Sequence, residues 1–163
     1  MAAMLVIGVL LSASYALPAY YEKNLVNLET ITSGYFHYSQ HFLYLRQFLN
    51  SPFGYGGSIY GLEDGLSFEI GKVHIVLIAV ALGMLLLTWK KVEKQTKIIM
   101  MSIMGMMAVA MLMATFKTQF LWDNMKLLQF IQFPWRFLSL IIILASFLCG
   151  SVVYFAKSIK LPK

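Results

Sequence analysis

Arg136 is the side chain whose type and position most clearly permit chemistry. It follows Pro134 and Trp135 in the stretch QFPWRFLSL (132–140), at the mouth of a long apolar run. A guanidinium offers N–H donors in a planar fork that matches carboxylate or phosphate oxygens. Arginine and tryptophan at this place can also anchor a helix among lipid headgroups, and proline suits a first helical turn. The stretch therefore predicts either an interfacial anchor or a binding site for an acidic group, such as a lipid phosphate.

Two further pairs of residues permit chemistry. Glu63 and Asp64 are adjacent in the glycine-rich stretch SPFGYGGSIYGLEDGLSFEIGK (51–72). A carboxylate can act as a base or bind a metal, although neighbouring acids on a glycine turn are more often solvated. His37 and His41 have i, i+4 spacing, but no companion glutamate completes the HExxH pattern of a zinc site. The catalytic residue therefore stays undetermined, with Glu63 and Asp64 as candidates. No cofactor or metal site is predicted, and a divalent metal stays an open alternative.

These residues lie between four apolar blocks that must position them. The chain has 163 residues, of which 60% are hydrophobic and 12% charged, and its mean hydropathy is +0.73. Soluble proteins are about a quarter charged, and crossing a bilayer takes about 20 apolar helical residues. We therefore predict an all-α membrane protein with a single membrane domain over 1–163. Its four transmembrane helices are expected at about 2–21, 73–89, 98–116 and 137–156.

The first block, AAMLVIGVLLSASYAL (2–17), permits two interpretations. It reaches spanning length only if its helix continues through Pro18 to Tyr21. The end LLSASYA also resembles the apolar part of a signal peptide before a small-residue cleavage site. No lysine or arginine precedes the block, whereas signal peptides normally open with positive charge. A transmembrane helix is therefore favoured. Both interpretations put the next segment outside.

The charge between the blocks predicts the orientation. The connector 90–97, KKVEKQTK, has four lysines and one glutamate, and three more lysines follow Ala156, whereas the rest of the chain has six basic and six acidic residues. By the positive-inside rule the lysine-rich segments are cytoplasmic. The prediction is a multi-pass protein of the bacterial inner membrane with both termini inside. Its outer loop is 22–72, its second outer segment 117–136 and its cytoplasmic hairpin 90–97. The excess positive charge is thus explained by topology, and no nucleic-acid partner is expected.

The outer loop is too long for a simple connector, and long loops often carry function. Residues 38–49, YSQHFLYLRQFL, fit a helix with Ser39, Gln40, Arg46 and Gln47 on one arc, interrupted by Leu43. Aromatic and apolar residues fall on the other arc. We therefore predict an amphipathic helix that lies in the membrane interface.

The predicted spans hold little that could carry ions or electrons. Their interiors contain no ionisable side chain apart from His74 at an outer end, which argues against a self-contained transporter. Seven methionines in 98–116 are distributed around the helix, which favours packing over a copper-conducting stripe. Cys149, the single cysteine, is interpreted as a packing residue. Chemistry is therefore expected at the outer surface.

Three stretches resemble a known family of large bacterial polytopic proteins. They are LPAYYEKNLVNLETITSGYFHYSQHF, SPFGYGGSIYGLEDGLSFEIGK and LWDNMKLLQFIQFPWRFL, in which SPxGYG, GLxDGxSFxIG and QFPWRFL are the more specific elements. The family is the membrane-protein domain related to 6-pyruvoyl-tetrahydropterin synthase, which is similar to GT-C glycosyltransferases. The chain has no synthase-like soluble domain and no zinc-ligating histidine triad, so the resemblance implies no pterin chemistry.

The resemblance implies an enzyme that takes a sugar from a polyprenyl-phosphate carrier at the outer leaflet. Arg136, Trp135, Arg46 and Tyr55 would then bind substrate or lipid phosphate, with Tyr35 among the lining aromatics. Members are several times longer, so the chain resembles a fragment whose partners are membrane lipids and the remaining spans. The usual catalytic acid of such enzymes lies on a first outer loop that is expected to be missing, so the family gives Glu63 and Asp64 no role. A non-catalytic scaffold or lipid-binding module is the alternative.

Overall fold

The computed structural model describes residues 2–22, 25 and 33–160, and all regular elements in these ranges are helical. This confirms the predicted all-α class. The α-helices are α1 (Ala2–Glu22), α2 (Lys72–Thr88), α3 (Lys94–Ala114), α4 (Gln119–Asn124), α5 (Lys126–Gln129) and α6 (Phe137–Lys160). The 3-10 helices are η1 (Gly34–Phe36), η2 (Tyr38–Gln40), η3 (Leu45–Phe48), η4 (Phe116–Thr118) and η5 (Pro134–Arg136).

Within the described residues, three helical segments are long and apolar enough to cross a membrane: Ala3–Glu22, Lys94–Ala114 and Pro134–Lys157. The predicted span 73–89 corresponds to α2, which is apolar but has only 17 residues. At 1.5 Å per residue α2 is about 25 Å long, somewhat shorter than a typical hydrocarbon core. Four spans thus remain a prediction, of which three meet the length criterion.

Helix α1 continues through Pro18 to Glu22, as a membrane span would require. Its described side chains are exposed with the exception of Ala13, and the exposed ones include Leu5, Val9 and Tyr15. A helix that is apolar all round and uncovered by the other described residues suits contact with lipid or with further helices.

The other three long helices form a bundle in which α6 packs against both α2 and α3. Ala145 of α6 is fully buried in one cluster with Ala110 and Ala114 at the end of α3. Such small side chains let helix backbones approach closely, which is how helices associate in lipid. At the other end of the bundle, Leu85, Val92, Met100, Leu148 and Phe155 form a second buried cluster.

The two ends of the bundle differ in charge and structure. At one end lies the connector between α2 and α3, with Lys90, Lys91 and Lys94 exposed, and Lys157 of α6 is exposed at the same end. We call it the lysine end. At the opposite end, residues 33–71 and 115–136 fold together over the start of α2, the end of α3 and the start of α6. We call these residues the cap.

The predicted continuous amphipathic helix over 38–49 is wrong. The segment contains the short helices η2 and η3, and between them the N–H of Leu43 donates to the carbonyl of Ala114 at 2.9 Å in an isolated β-bridge with Thr115. Leu43, which interrupts the expected polar arc, is 1% exposed. Phe42, Leu43 and Phe48 all reach buried positions, which one straight helix with a single apolar face would not allow.

Candidate functional site

Arg136 lies at the junction between the cap and α6. Its Nη1 donates to the carbonyl of Ile131 at 2.9 Å, and its Cζ lies 5.0 Å from the centre of the Phe133 ring. The side chain is otherwise exposed, and no carboxylate among the described residues pairs with it. Pro134 begins η5 and is buried, which fixes the backbone immediately before the arginine. The guanidinium is therefore oriented by uncharged contacts, so that its positive charge is available to a ligand.

Trp135 connects the base of α6 to the glycine-rich segment. Its indole N–H donates to the hydroxyl of Ser58 at 3.1 Å, and Ser58 Oγ lies 2.6 Å from Nδ1 of His41. The Nε2 of His41 is 2.5 Å from the carbonyl oxygen of Tyr35. The three side chains and the carbonyl thus form one continuous chain of hydrogen bonds through the cap.

His41 is 1% exposed and packs edge-on against the rings of Tyr35 and Phe133. Burial lowers the pKa of its imidazole, and this effect exceeds the opposing influence of the Tyr35 backbone, the Asp64 charge and the Ser58 backbone. Both of its ring nitrogens are occupied, so it is not free to bind a metal. Nδ1 of His37 is bonded instead to Ser39. The part of the chain that the structure describes holds no cluster of three metal-ligating side chains.

The two adjacent carboxylates have different surroundings. Asp64 accepts from Nε2 of Gln47 at 2.5 Å and from the backbone N–H of Ile59 at 2.8 Å. Gln47 is 2% exposed, and its carbonyl oxygen accepts from the N–H of Tyr44 at 2.8 Å. Glu63 is exposed. Asp64 thus holds the loop together, whereas Glu63 is available to a ligand.

A close backbone crossing between glycines shapes this loop. The N–H of Gly56 donates to the carbonyl of Gly65 at 2.9 Å, and the N–H of Gly65 donates to the carbonyl of Gly57 at 3.0 Å. A Cβ on Gly65 would collide with the backbone of Gly56. Glycine at these positions therefore permits the turn that brings Ser58 and Asp64 into the cap.

Two open clefts flank Tyr60. One of about 470 Å³ is lined by Tyr44 and residues 59–63, and the other, of about 360 Å³, by Gly34, Tyr35, Gln40, Ile59 and Tyr60. Burial, and then the hydrogen bond and charge of Tyr60, raise the pKa of Tyr44. The clefts therefore present aromatic rings, phenol hydroxyls, an amide and a carboxylate, without a basic side chain among the lining residues.

Sequence reasoning missed the contact between the two parts of the cap around Trp122. The hydroxyl of Tyr38 donates to Asp123 at 2.6 Å, and its ring stacks on Trp122 with centroids 5.6 Å apart. Burial, and then the hydrogen bond and charge of Asp123, raise the pKa of Tyr38 to about 12. The fully buried indole N–H of Trp122 has no hydrogen-bond partner among the described residues. The aromatic richness of 33–44 was the available signal, but it did not identify the partner.

The predicted site residues do not all meet. Trp135 joins the buried hydrogen-bonded chain, and Arg136 follows it on the surface. Arg46 is exposed and lines a separate cleft of about 150 Å³ with Gln47 and Asn50. Tyr55 is 97% exposed.

Comparisons of the chain with protein-family models, with curated proteins and with solved structures found no match.

Proposed function

We propose that the chain is part of an integral membrane glycosyltransferase of the GT-C kind, which uses a polyprenyl-phosphate-linked sugar at the outer leaflet. The observation that carries the proposal is Arg136: an exposed, oriented guanidinium at the beginning of a helix apolar enough to span a membrane. A polyprenyl-phosphate sugar has an apolar tail, a phosphate and a polar headgroup. A site for it needs an apolar surface and a cation side by side, and the start of α6 has both.

Arg136 would bind the carrier phosphate. An arginine can form two parallel charge-assisted hydrogen bonds to phosphate oxygens, which are stronger than neutral ones. The contacts with Ile131 and Phe133 restrict the side chain before a ligand arrives. Such preorganisation reduces the conformational entropy lost on binding.

The clefts beside Tyr60 suit the sugar. Tyrosine rings offer flat apolar faces to the C–H groups of a pyranose, while the hydroxyls of Tyr44 and Tyr60 can bond sugar hydroxyls. Of the two catalytic candidates, Glu63 is favoured over Asp64, because both carboxylate oxygens of Asp64 already accept hydrogen bonds within the loop. Glu63 would be the base that activates an acceptor hydroxyl.

The proposal includes an orientation. The lysine end would be cytoplasmic and the cap external, since the exposed lysines of the connector and Lys157 lie together at the end opposite the cap. The membrane would be the bacterial inner membrane, which places the cap where lipid-linked sugars are used outside the cell.

A second candidate function is a non-catalytic scaffold or lipid-binding module. The observation in its favour is the large uncovered apolar surface, which includes the described side chains of α1 apart from Ala13 and, on the cap, Phe53 and Tyr60 at 76% and 70% exposure. Exposed apolar patches of this kind mark contacts with lipid or with other protein segments. The remaining spans of a longer chain would be such segments.

The test is photo-crosslinking of the full chain in nanodiscs with a radiolabelled polyprenyl-phosphate sugar whose tail carries a diazirine. Arg136→Ala is expected to weaken labelling at least about tenfold, because it removes a charge-assisted contact. Arg136→Lys should be intermediate, and Lys126→Ala, which removes an exposed charge from the same segment, should label like wild type. Equal labelling of wild type and Arg136→Ala would contradict the proposal that Arg136 binds the carrier phosphate.

Sugar transfer to an acceptor separates the two functions. An enzyme should lose transfer but keep labelling in Glu63→Gln. If Glu63→Gln is labelled like wild type and wild type transfers no sugar to the acceptors tested, the lipid-binding module is the better account.

A further inference from the structure

The hydrogen-bonded chain through His41 has only one possible direction. A carbonyl can only accept, so Nε2 of His41 must carry a proton toward Tyr35. In a neutral imidazole Nδ1 is then an acceptor, and Ser58 donates its hydroxyl hydrogen to it. An indole N–H can only donate, so Trp135 donates to the oxygen of Ser58. Every donor and acceptor in this series of hydrogen bonds, from Trp135 to the Tyr35 carbonyl, therefore has a partner when His41 is neutral.

Protonation of His41 breaks this arrangement. Nδ1 would become a donor toward Ser58, whose hydroxyl oxygen can accept from it as well as from Trp135, but the serine hydroxyl hydrogen would lose its acceptor. Ser58 is 3% exposed and His41 is 1% exposed, so water cannot readily compensate. A buried polar group without a partner and a buried charge both disfavour the closed cap.

The charged and titratable groups around His41 come from several elements. Asp64 in the glycine-rich segment favours the protonated form, but its oxygens are bonded to Gln47 and to the N–H of Ile59. From η5, just before α6, Arg136 lies over Phe133, whose ring also packs against His41. Tyr35 contributes its ring and its carbonyl. On its own segment, His37 and Tyr38 are bonded to Ser39 and Asp123 respectively.

We infer that neutral His41 holds the glycine-rich segment (51–72) against Trp135, just before α6. Protonation of His41 breaks this connection, so that the stability of the cap depends on pH. The inference does not rest on the proposed function. The direction of the pH dependence follows from burial, which lowers the pKa of His41 in the folded protein below the ordinary imidazole pKa of 6.5. The contribution of neutral His41 to the stability of the folded cap is therefore complete above about pH 6.5, and it decreases as the pH falls below that value.

The direct test is nitrogen-15 NMR of the full chain in nanodiscs with labelled histidine. His37→Gln together with His74→Gln leaves His41 as the single signal, since the chain has three histidines. The expected result is the Nε2–H tautomer at pH 8 and a titration midpoint below 6.5. The Nδ1–H tautomer, or a midpoint at or above that value, would overturn the inference.

Hydrogen exchange tests the consequence for the cap. With intrinsic exchange corrected for, opening measured at the amides of Gly56 and Gly65 should increase by up to about tenfold for each pH unit below the imidazole's ordinary value. His37→Gln should keep this dependence and His41→Gln should lose it. Unchanged protection in wild type between pH 8 and pH 5, or a dependence that survives in a folded His41→Gln, would contradict the inference. If His41→Gln does not fold, the wild-type exchange and the NMR result still decide.

Discussion

The bundle and the cap of this chain are stabilised in different ways. In the bundle, α6 meets α2 and α3 through alanines and other apolar side chains, so that close packing does most of the stabilising. In the cap, segments far apart in sequence are joined by directed contacts, such as those of His41 with Ser58 and of Tyr38 with Asp123. The comparison teaches that the helices provide a frame defined by composition, while the candidate site depends on individual polar pairs.

The largest expected effect is at the place where the two regions meet. Phe48 is fully buried in the cluster that joins the cap to α3 and α6, and Phe48→Ala should cost about 3–5 kcal/mol because it leaves a cavity. Phe53→Ala, at a side chain 76% exposed, is the matched control and should change stability little. Reversible unfolding in mixed micelles measures both. Equal stabilities would show that the cap does not pack on the bundle as described.

A smaller effect is expected inside the bundle. Ala145 has no exposed surface where α6 approaches Ala110 and Ala114 of α3. Ala145→Leu should destabilise by about 1–3 kcal/mol because the helices must separate to admit the larger side chain. Gly150→Leu, at an exposed position of the same helix, tests whether any added bulk has this effect. If Ala145→Leu unfolds at the same denaturant concentration as wild type, close packing is not what stabilises the bundle.

The smallest effect separates the neighbouring acids of the cap. Asp64→Asn should cost about 1–2 kcal/mol of cap stability, because its new amide would either face the Gln47 donor or displace the Ile59 bond. Glu63→Gln should leave stability unchanged, since Glu63 is exposed. Limited proteolysis of the glycine-rich segment reports the difference. Identical cleavage rates for the two variants would mean that Asp64 has no special role in the loop.

Local patterns in the sequence predicted the all-α class, the approximate helix positions and a concentration of lysines in the connector between α2 and α3 and at the end of α6, because hydropathy and charge act residue by residue. They failed for 38–49, where Gln47 lies on the predicted polar arc but is 2% exposed and bonded to Asp64. The burial of such a residue is determined by its hydrogen-bond partner and not by its position on a helical wheel. The partners Tyr38 and Asp123 are 85 residues apart, and Trp135 and Ser58 are 77 apart. No periodicity in a single sequence specifies contacts at that separation.

The same limit applies to the candidate site. Arg136 was identified from its position before an apolar run, and its exposure agrees with a role in binding. His41 was considered as a metal ligand, whereas its two nitrogens are used within the cap. The phosphate-binding role of Arg136, Trp135, Arg46 and Tyr55 remains a prediction.

The most direct test of the account asks whether the cap and the lysine end face opposite sides of a membrane. In a Cys149→Ala background, Tyr55→Cys and Lys91→Cys put single reactive thiols on exposed positions of the cap and of the connector. Spheroplasts are treated with a membrane-impermeant maleimide before and after permeabilisation. The account predicts that position 55 labels in intact spheroplasts and position 91 only after permeabilisation. Labelling of position 91 but not 55 in intact spheroplasts, or of both, would contradict it.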